Sequence, residues 1–468
     1  MRIHLIQWRN HLVLFGATVL LAAIIGLFTQ SNPMFMLQIG ILIAVFIPAA
    51  VLSLRDHAAL IPYIVGCWVF SAELRRLIDW AQGEYTQLSL MLILPHIVTF
   101  SLVFSIMKNR ENRSFAEEFK TNKFYSFIVA AYVYAAFVGL ILNKTAGIYD
   151  MMGYLAPALI VPYFFLRPFT SAELNKIIQL CVTFALLISI YGWIQYLTLP
   201  AWDLFWMKNA HMTSIGHPAP KEFRMFSTMT SQGPVAVFLG TMLVIMFVNK
   251  EWRGKWGWLG IMLVASAFSI TLVRSAWVTL VFGLVGYIAF MDKGKKVSKI
   301  LSILVIGACL FFVMSKLPGV ENVTARLQTF QNMDEDTSFK DRIGLVFHAT
   351  PIILSHPLGA GFGSVGRGTI LGDGAGFAGL GSLDNGYLGV FATFGLLGGV
   401  AFFIGMYLLF KHLLSLKNNS IKVLAISTII QILVAFFFGG GLQAYQGVLF
   451  WLFVSMALTQ SNLKEQRL

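Results

Sequence analysis

Charge is what this chain has least of. Asp, Glu, Lys and Arg make up 12% of its 468 residues, where a soluble globular protein carries about 25%. With 57% hydrophobic residues and a mean hydropathy of +0.75, it cannot cover a globular surface with solvated groups. That excludes a water-soluble domain and leaves a polytopic membrane protein. Cysteine is scarce too. Cys67, Cys181 and Cys309 stand alone inside apolar runs, which excludes a disulfide framework and a CxxC redox or metal site. The nine histidines form no HExxH or comparable spacing, so neither a protein-bound metal nor a cofactor is expected. A net charge of +13 would suit nucleic acid. The basic residues, however, lie in short loops between apolar runs, as membrane orientation requires, so nucleic acid is not an expected partner.

Apolar runs long enough to cross a bilayer, about 16–24 residues each, are plentiful. They are predicted near 12–30, 34–54, 58–72, 86–107, 124–142, 151–166, 177–198, 230–248, 256–273, 275–291, 300–315, 386–410, 423–438 and 444–459. The expected fold class is all-α: a polytopic integral membrane protein with about 12–14 transmembrane helices and a large outward-facing loop. The opening "MRIHLIQWRNH" and the run after it read as a first span that stays in place, not as a cleaved signal. Alternate loops, counted from the N-terminus, hold 22 of the 34 Lys and Arg. Positive residues mark the cytoplasmic side, so both termini are expected there. The expected organisation is then N-terminal spans at 1–198 and a first outer loop at 199–229. Spans at 230–315 carry Arg274, a large outer loop follows at 316–385, and C-terminal spans occupy 386–468.

The chemistry is expected in the two outer loops. "GFGSVG" at 361–366 matches GxGxxG, but it lies between membrane spans and lacks the strand–helix setting of a dinucleotide site, and no GK[ST] follows. Two readings remain for it: a loop packed tightly against backbone, or a loop that wraps a substrate. Residues from Phe339 to Leu354 have helical spacing, and Pro357 closes them. Arg274 stands in "TLVRSAW", between two runs that would form a hairpin, so it belongs either to the interface as an anchor or to an anion site. Arg224, Arg342 and Arg367 share that outer layer, and four guanidinium groups suit a polyanion at the outer leaflet, a lipid diphosphate above all. His211, His217, Glu222, Asp341, Asp373 and Asp384 are the available proton acceptors. Asp384 opens the span "LDNGYLGVFATFG" and reads either as a helix cap or as a general base.

Three segments, taken together, resemble the O-antigen ligase and polysaccharide polymerase family of bacterial membrane glycosyltransferases. "FRMFSTMTSQGPVAVFLG" resembles its arginine-bearing approach to a span. "TLVRSAWVTLVFGLVGYI" is similar to its "SRSA" hairpin. The third runs from "DRIGLVFHATPIILSHPLGAGFGSVG" to "LDNGYLGVFATFGLLGG" and resembles its large outer loop and the helix after it. The resemblance spans residues 220–410. It implies a multi-pass protein of the bacterial plasma (inner) membrane and a metal-independent, inverting transfer from an undecaprenyl-diphosphate-linked oligosaccharide. Arg224 and Arg274 match the family's two diphosphate-binding arginines, while Asp384 is the candidate base on the chemistry of the residues themselves. Arg342, Arg367, Asn385, Tyr387 and Glu222 are taken as substrate-binding. Ligases carry a histidine where this chain has Asp384 before Asn385. That departure leans toward a polymerase joining repeat units, with a chain-length regulator as a further partner. The alternative is a ligase moving a finished glycan onto lipid or protein. A lipid-oligosaccharide transporter is the remoter one, since ionisable residues within the spans are nearly absent.

Overall fold

A computed structural model describes residues 33–110, 123–210, 212–291, 294, 296–314, 337–372, 374, 376–381 and 383–465. The predicted span at 12–30, His211, Asp373 and the stretch 316–336 lie outside the described residues. The helices are α1 (Pro33–Leu54), α2 (Leu60–Gln82), α3 (Leu94–Phe100), α4 (Leu102–Asn109), α5 (Lys123–Leu142), α6 (Lys144–Ala158), α7 (Ile160–Leu166), α8 (Ser171–Thr198) and α9 (Ala201–Asn209). They continue with α10 (Gln232–Val248), α11 (Gly257–Ile270), α12 (Arg274–Phe290), α13 (Lys296–Met314), α14 (Thr337–Ser355), α15 (Gly386–Ser415), α16 (Ser420–Ala435) and α17 (Ala444–Glu465). Among the described residues there is no strand, only an isolated antiparallel bridge between Gly216 and Phe223.

The protein is an all-α polytopic membrane protein. Among the described residues six stretches are long and apolar enough to cross a bilayer: Phe35–Leu54, Lys123–Leu142, Lys144–Leu166, Ser171–Thr198, Gly386–Ser415 and Ser420–Phe438. A seventh is gained if α10 and the stretch Lys250–Ile270, bent by 109°, count as one. The run predicted at 86–107 is broken: a 3-10 turn at Leu90–Leu92 leads into α3, and Ser101 separates α3 from α4. Helix starts follow local chemistry. Thr170 and Glu173 form a capping box at α8, and the Asn419 side chain accepts from Lys422 N at 2.9 Å at α16.

The core is built from aliphatic and aromatic side chains of α2, α8, α10, α16 and α17, with Trp252 and Trp451 fully buried. Helix α15 packs most closely on α5, and α12 on α16. The hairpin expected around Arg274 needs correction. The turn is present at Thr271–Val273, but α11 and α12 each pack on α10 rather than chiefly on one another.

Helix α15 is broken at Gly395, where φ is 69° and ψ −179°. Unpaired backbone groups are costly in lipid, and the chain around Pro357 satisfies them. Leu396 N donates to Pro357 O (2.8 Å), while Ala392 O and Thr393 O accept from Ala360 N (2.9 Å) and Gly361 N (3.0 Å). On the other side Phe362 N donates to Ala135 O (2.9 Å), and Asn143 Nδ2 lies 2.7 Å from both Ala360 O and Phe362 O. The glycine-rich segment is thus laid between α5 and the break in α15.

Candidate active site

Residues 223–229 run as extended chain and turn ahead of α10. Arg224 N donates to Ile215 O (2.7 Å), and Met225 N donates to Ile270 O, the last residue of α11, at 3.1 Å. That bond ties the Arg224 segment to the turn from which Arg274 starts α12. Leu272 in this turn has φ 55°, a left-handed backbone that an L-residue adopts at a cost and that the surrounding packing imposes. Both arginines are half-buried. The structure therefore brings together the segments of two residues that stand 50 positions apart in the chain.

Packing of α12 against α16 sets the next relation. A Cβ on Gly283 would lie 2.7 Å from the Gln431 side chain, and one on Gly286 would lie 2.6 Å from Ile430 Cδ1. The two helices run antiparallel. Nine residues back along α12 from Gly283, roughly 13 Å, Arg274 comes level with the start of the 439–443 loop, beyond α16. Asp384 sits against that loop: a Cβ on Gly439 would be 3.3 Å from Asp384 Cα. Beside it, the Arg342 guanidinium lies over the Phe438 ring (5.7 Å), and its buried Nε has no hydrogen-bond partner among the described residues. Arg224, Arg274, Arg342 and Asp384 occupy one layer at one end of the bundle.

Asp384 is exposed. The helix cap is its neighbour: Asn385 Oδ1 accepts from Leu388 N at 3.1 Å. The cap reading therefore passes to Asn385, and the Asp384 carboxylate is not used for it. The Tyr387 hydroxyl donates to Leu433 O (2.8 Å), and its ring stacks on Phe403 at 5.5 Å, so it joins α15 to α16. Glu222 is exposed, with its carboxylate 3.1 Å from His217 Nδ1, on the turn closed by the Gly216–Phe223 bridge. Arg367 is exposed at the start of a 3-10 turn, Arg367–Leu371, within electrostatic reach of Asp150, His96 and Tyr149. Asp341 lies in α14. Among the described residues no group of three or more His, Cys, Asp or Glu could hold a metal ion.

"GFGSVG" begins as tight packing. A Cβ on Gly361 would fall 2.2 Å from Gly139 N, and one on Gly363 2.4 Å from Ala146 C, with φ of 74° and 82°. Phe362 between them is fully buried and stacks on Tyr154 at 4.8 Å. Beyond it, Gly363 N donates to buried Asp150 Oδ2 (3.1 Å), so α6 tethers the loop just where it leaves the core.

Sequence reasoning missed a charged network beneath Arg224. Arg76 of α2, 1% exposed, pairs with Glu73 and with Asp203 of α9, the latter at 2.8 Å. The Tyr191 hydroxyl lies 2.7 Å from Glu73 Oε1 and 2.6 Å from Asp203 Oδ2. Burial pushes the Asp203 carboxyl above its usual value; Arg76 opposes this and Glu73 adds to it. The one local signal was "SAELRR", charges closing an apolar run.

Fold and layer together define a polytopic helical membrane protein with arginines and a carboxylate gathered at one end. Residues 267–403 match the family model described as O-antigen ligase, and that stretch supports a family of the O-antigen ligase or polymerase type. The matched stretch holds Arg274, Arg342, Arg367, Asp384, Asn385 and Tyr387; Glu222 and Arg224 lie before it. No curated protein and no solved structure matches the chain. A glycosyltransferase-like enzyme of the membrane is what this type implies.

Proposed function

We propose that this protein is a polymerase that joins undecaprenyl-diphosphate-linked oligosaccharide repeat units at the outer face of the bacterial plasma membrane and releases the lipid diphosphate. The observation that carries the reading is the Met225–Ile270 backbone bond, which holds the Arg224 segment beside the turn bearing Arg274. A guanidinium grips phosphate oxygens with a fork of donors, and a pair of them suits a diphosphate. In the proposed reaction an acceptor hydroxyl oxygen bonds to the anomeric carbon of the donor sugar. The bond from that carbon to the diphosphate oxygen breaks, and its electron pair leaves with the diphosphate. Arg224 and Arg274 stabilise the charge that develops there. The hydroxyl proton passes to Asp384, whose carboxylate is exposed and not spent on capping α15. A single displacement inverts the anomeric centre and draws on no metal. Arg342 and Arg367 are placed as further phosphate or sugar contacts, with Glu222, Asn385 and Tyr387 supporting the same layer.

Asp384 before Asn385, where ligases have a histidine, favours a polymerase over a ligase. Purified protein given lipid-linked repeat units alone should make polymer and free undecaprenyl diphosphate. Product only when a separate lipid or protein acceptor is added would favour the ligase. Arg224→Lys and Arg274→Lys should insert normally and lose most polymer, because an ammonium is a point charge without the fork. Normal polymer from both variants would remove the diphosphate clamp.

A further inference from the structure

We infer that Arg76 is a positioning residue: it fixes the backbone from which Arg224 reaches the lipid diphosphate, an assignment that rests on the proposed role of Arg224. Arg76 Nη1 donates to Met229 O (2.7 Å), and Nη2 donates to Ser227 O. Nε faces Glu73 Oε2 (3.1 Å) and Asp203 Oδ1 (2.8 Å). The plane is packed against Phe226 (4.9 Å) and Trp206 (5.6 Å). Gln195 of α8, fully buried, holds the other side of the same segment. Its Oε1 accepts from Phe226 N (3.2 Å) and Ser227 N (2.7 Å), and its Nε2 donates to Asp203 Oδ2 (2.8 Å).

Helix α2 closes the clamp with backbone: Glu73 N donates to Thr228 O at 3.1 Å. Ser227, in the middle, is held at φ 45°, so the network stabilises a conformation the segment would not adopt alone. Arg224 stands immediately before this clamped stretch and cannot shift without it. Buried Arg76 and Asp203, with part-buried Glu73, are a poor way to gain stability, because desolvating charges costs several kcal/mol each and apolar packing serves as well or better. What a forked cation between two carboxylates and two carbonyls does supply is a fixed geometry. Displacement of a catalytic group by about 1 Å costs roughly 10²-fold.

The test is a double-mutant cycle read by binding of undecaprenyl diphosphate to the full-length protein in nanodiscs, and by kcat/KM for the lipid-linked donor. Arg76→Lys keeps one positive charge between Glu73 and Asp203 but cannot hold both carbonyls. It should weaken binding on the order of tenfold or more in the native background. In the Arg224→Ala background the same change should cost less than about twofold, because there is no guanidinium left to misplace. Should Arg76→Lys fail to fold, Gln195→Met, which removes the other half of the clamp, takes its place in the cycle. Equal losses in both backgrounds would mean a general packing defect and overturn the positioning role while leaving Arg224 as a ligand. Unchanged binding in Arg224→Ala alone would instead overturn the Arg224 assignment, and this inference with it.

Discussion

At the scale of single residues, Asp384 and Asn385 divide two tasks that adjacent positions in a helix start could have shared. Asn385 accepts the Leu388 N–H and caps α15, while Asp384 stays exposed against Gly439. The division gives opposite expectations for two neighbouring substitutions. Asn385→Ala should cost about 1 kcal/mol of stability, the usual worth of a cap, read as a lowered unfolding temperature in detergent. Asp384→Asn should leave that temperature unchanged, yet lower the rate of polymer formation by roughly 10²–10⁴-fold if the carboxylate takes up the acceptor's proton. Full activity in Asp384→Asn would move the base to Glu222 or Asp341.

Among the elements, the glycine-rich segment and the broken helix α15 form one unit. Each supplies the hydrogen bonds the other lacks, which is how irregular backbone is tolerated beside membrane helices. Gly139 is where α5 lets this unit in: a Cβ there would meet Phe362 O at 2.5 Å and Phe362 N at 2.6 Å. Alanine in a helix is worth about 1 kcal/mol over glycine, but here the loop would have to move. Gly139→Ala should destabilise by about 1–3 kcal/mol and cut activity without altering any charged group. Gly389→Ala, in α15 with nothing within 4 Å of its Cβ, is the control. Thermal unfolding and limited proteolysis of 364–385 would separate them; equal behaviour of the two variants would mean that the loop is not held by this contact. Helix positions, that of α14 among them, were legible because apolar length and Pro357 are local signals. The close approach of Gly361 to Gly139 was legible only as one of two readings. The Arg76 network was not legible as a unit beyond the charges of "SAELRR", because its members come from α2, α8, α9 and the segment before α10. No spacing rule links residues 76 and 229.

For the whole molecule the remaining question is sidedness, since a lipid-linked donor presented on the outer leaflet requires the Arg224–Arg274–Asp384 layer to face outward. Electrostatics favours that orientation. The stretch 411–422, at the far end of α15 from Asp384, belongs to the set holding 22 of the 34 Lys and Arg, and positive segments stay cytoplasmic. Two exposed positions at opposite ends test it directly. Glu222 lies beside the Arg224 segment on an exposed turn, and Lys417 lies in the loop between α15 and α16. Single cysteines at these positions, in a chain whose own three cysteines are replaced, can be probed with a membrane-impermeant thiol reagent on cells stripped of their wall. Glu222→Cys should label at once, and Lys417→Cys only after the membrane is permeabilised. The reverse pattern would put the arginine layer in the cytoplasm. The layer would then meet donors before they cross the membrane, and polymerisation at the outer face would be lost even if every contact around Arg224 and Arg274 stood as described.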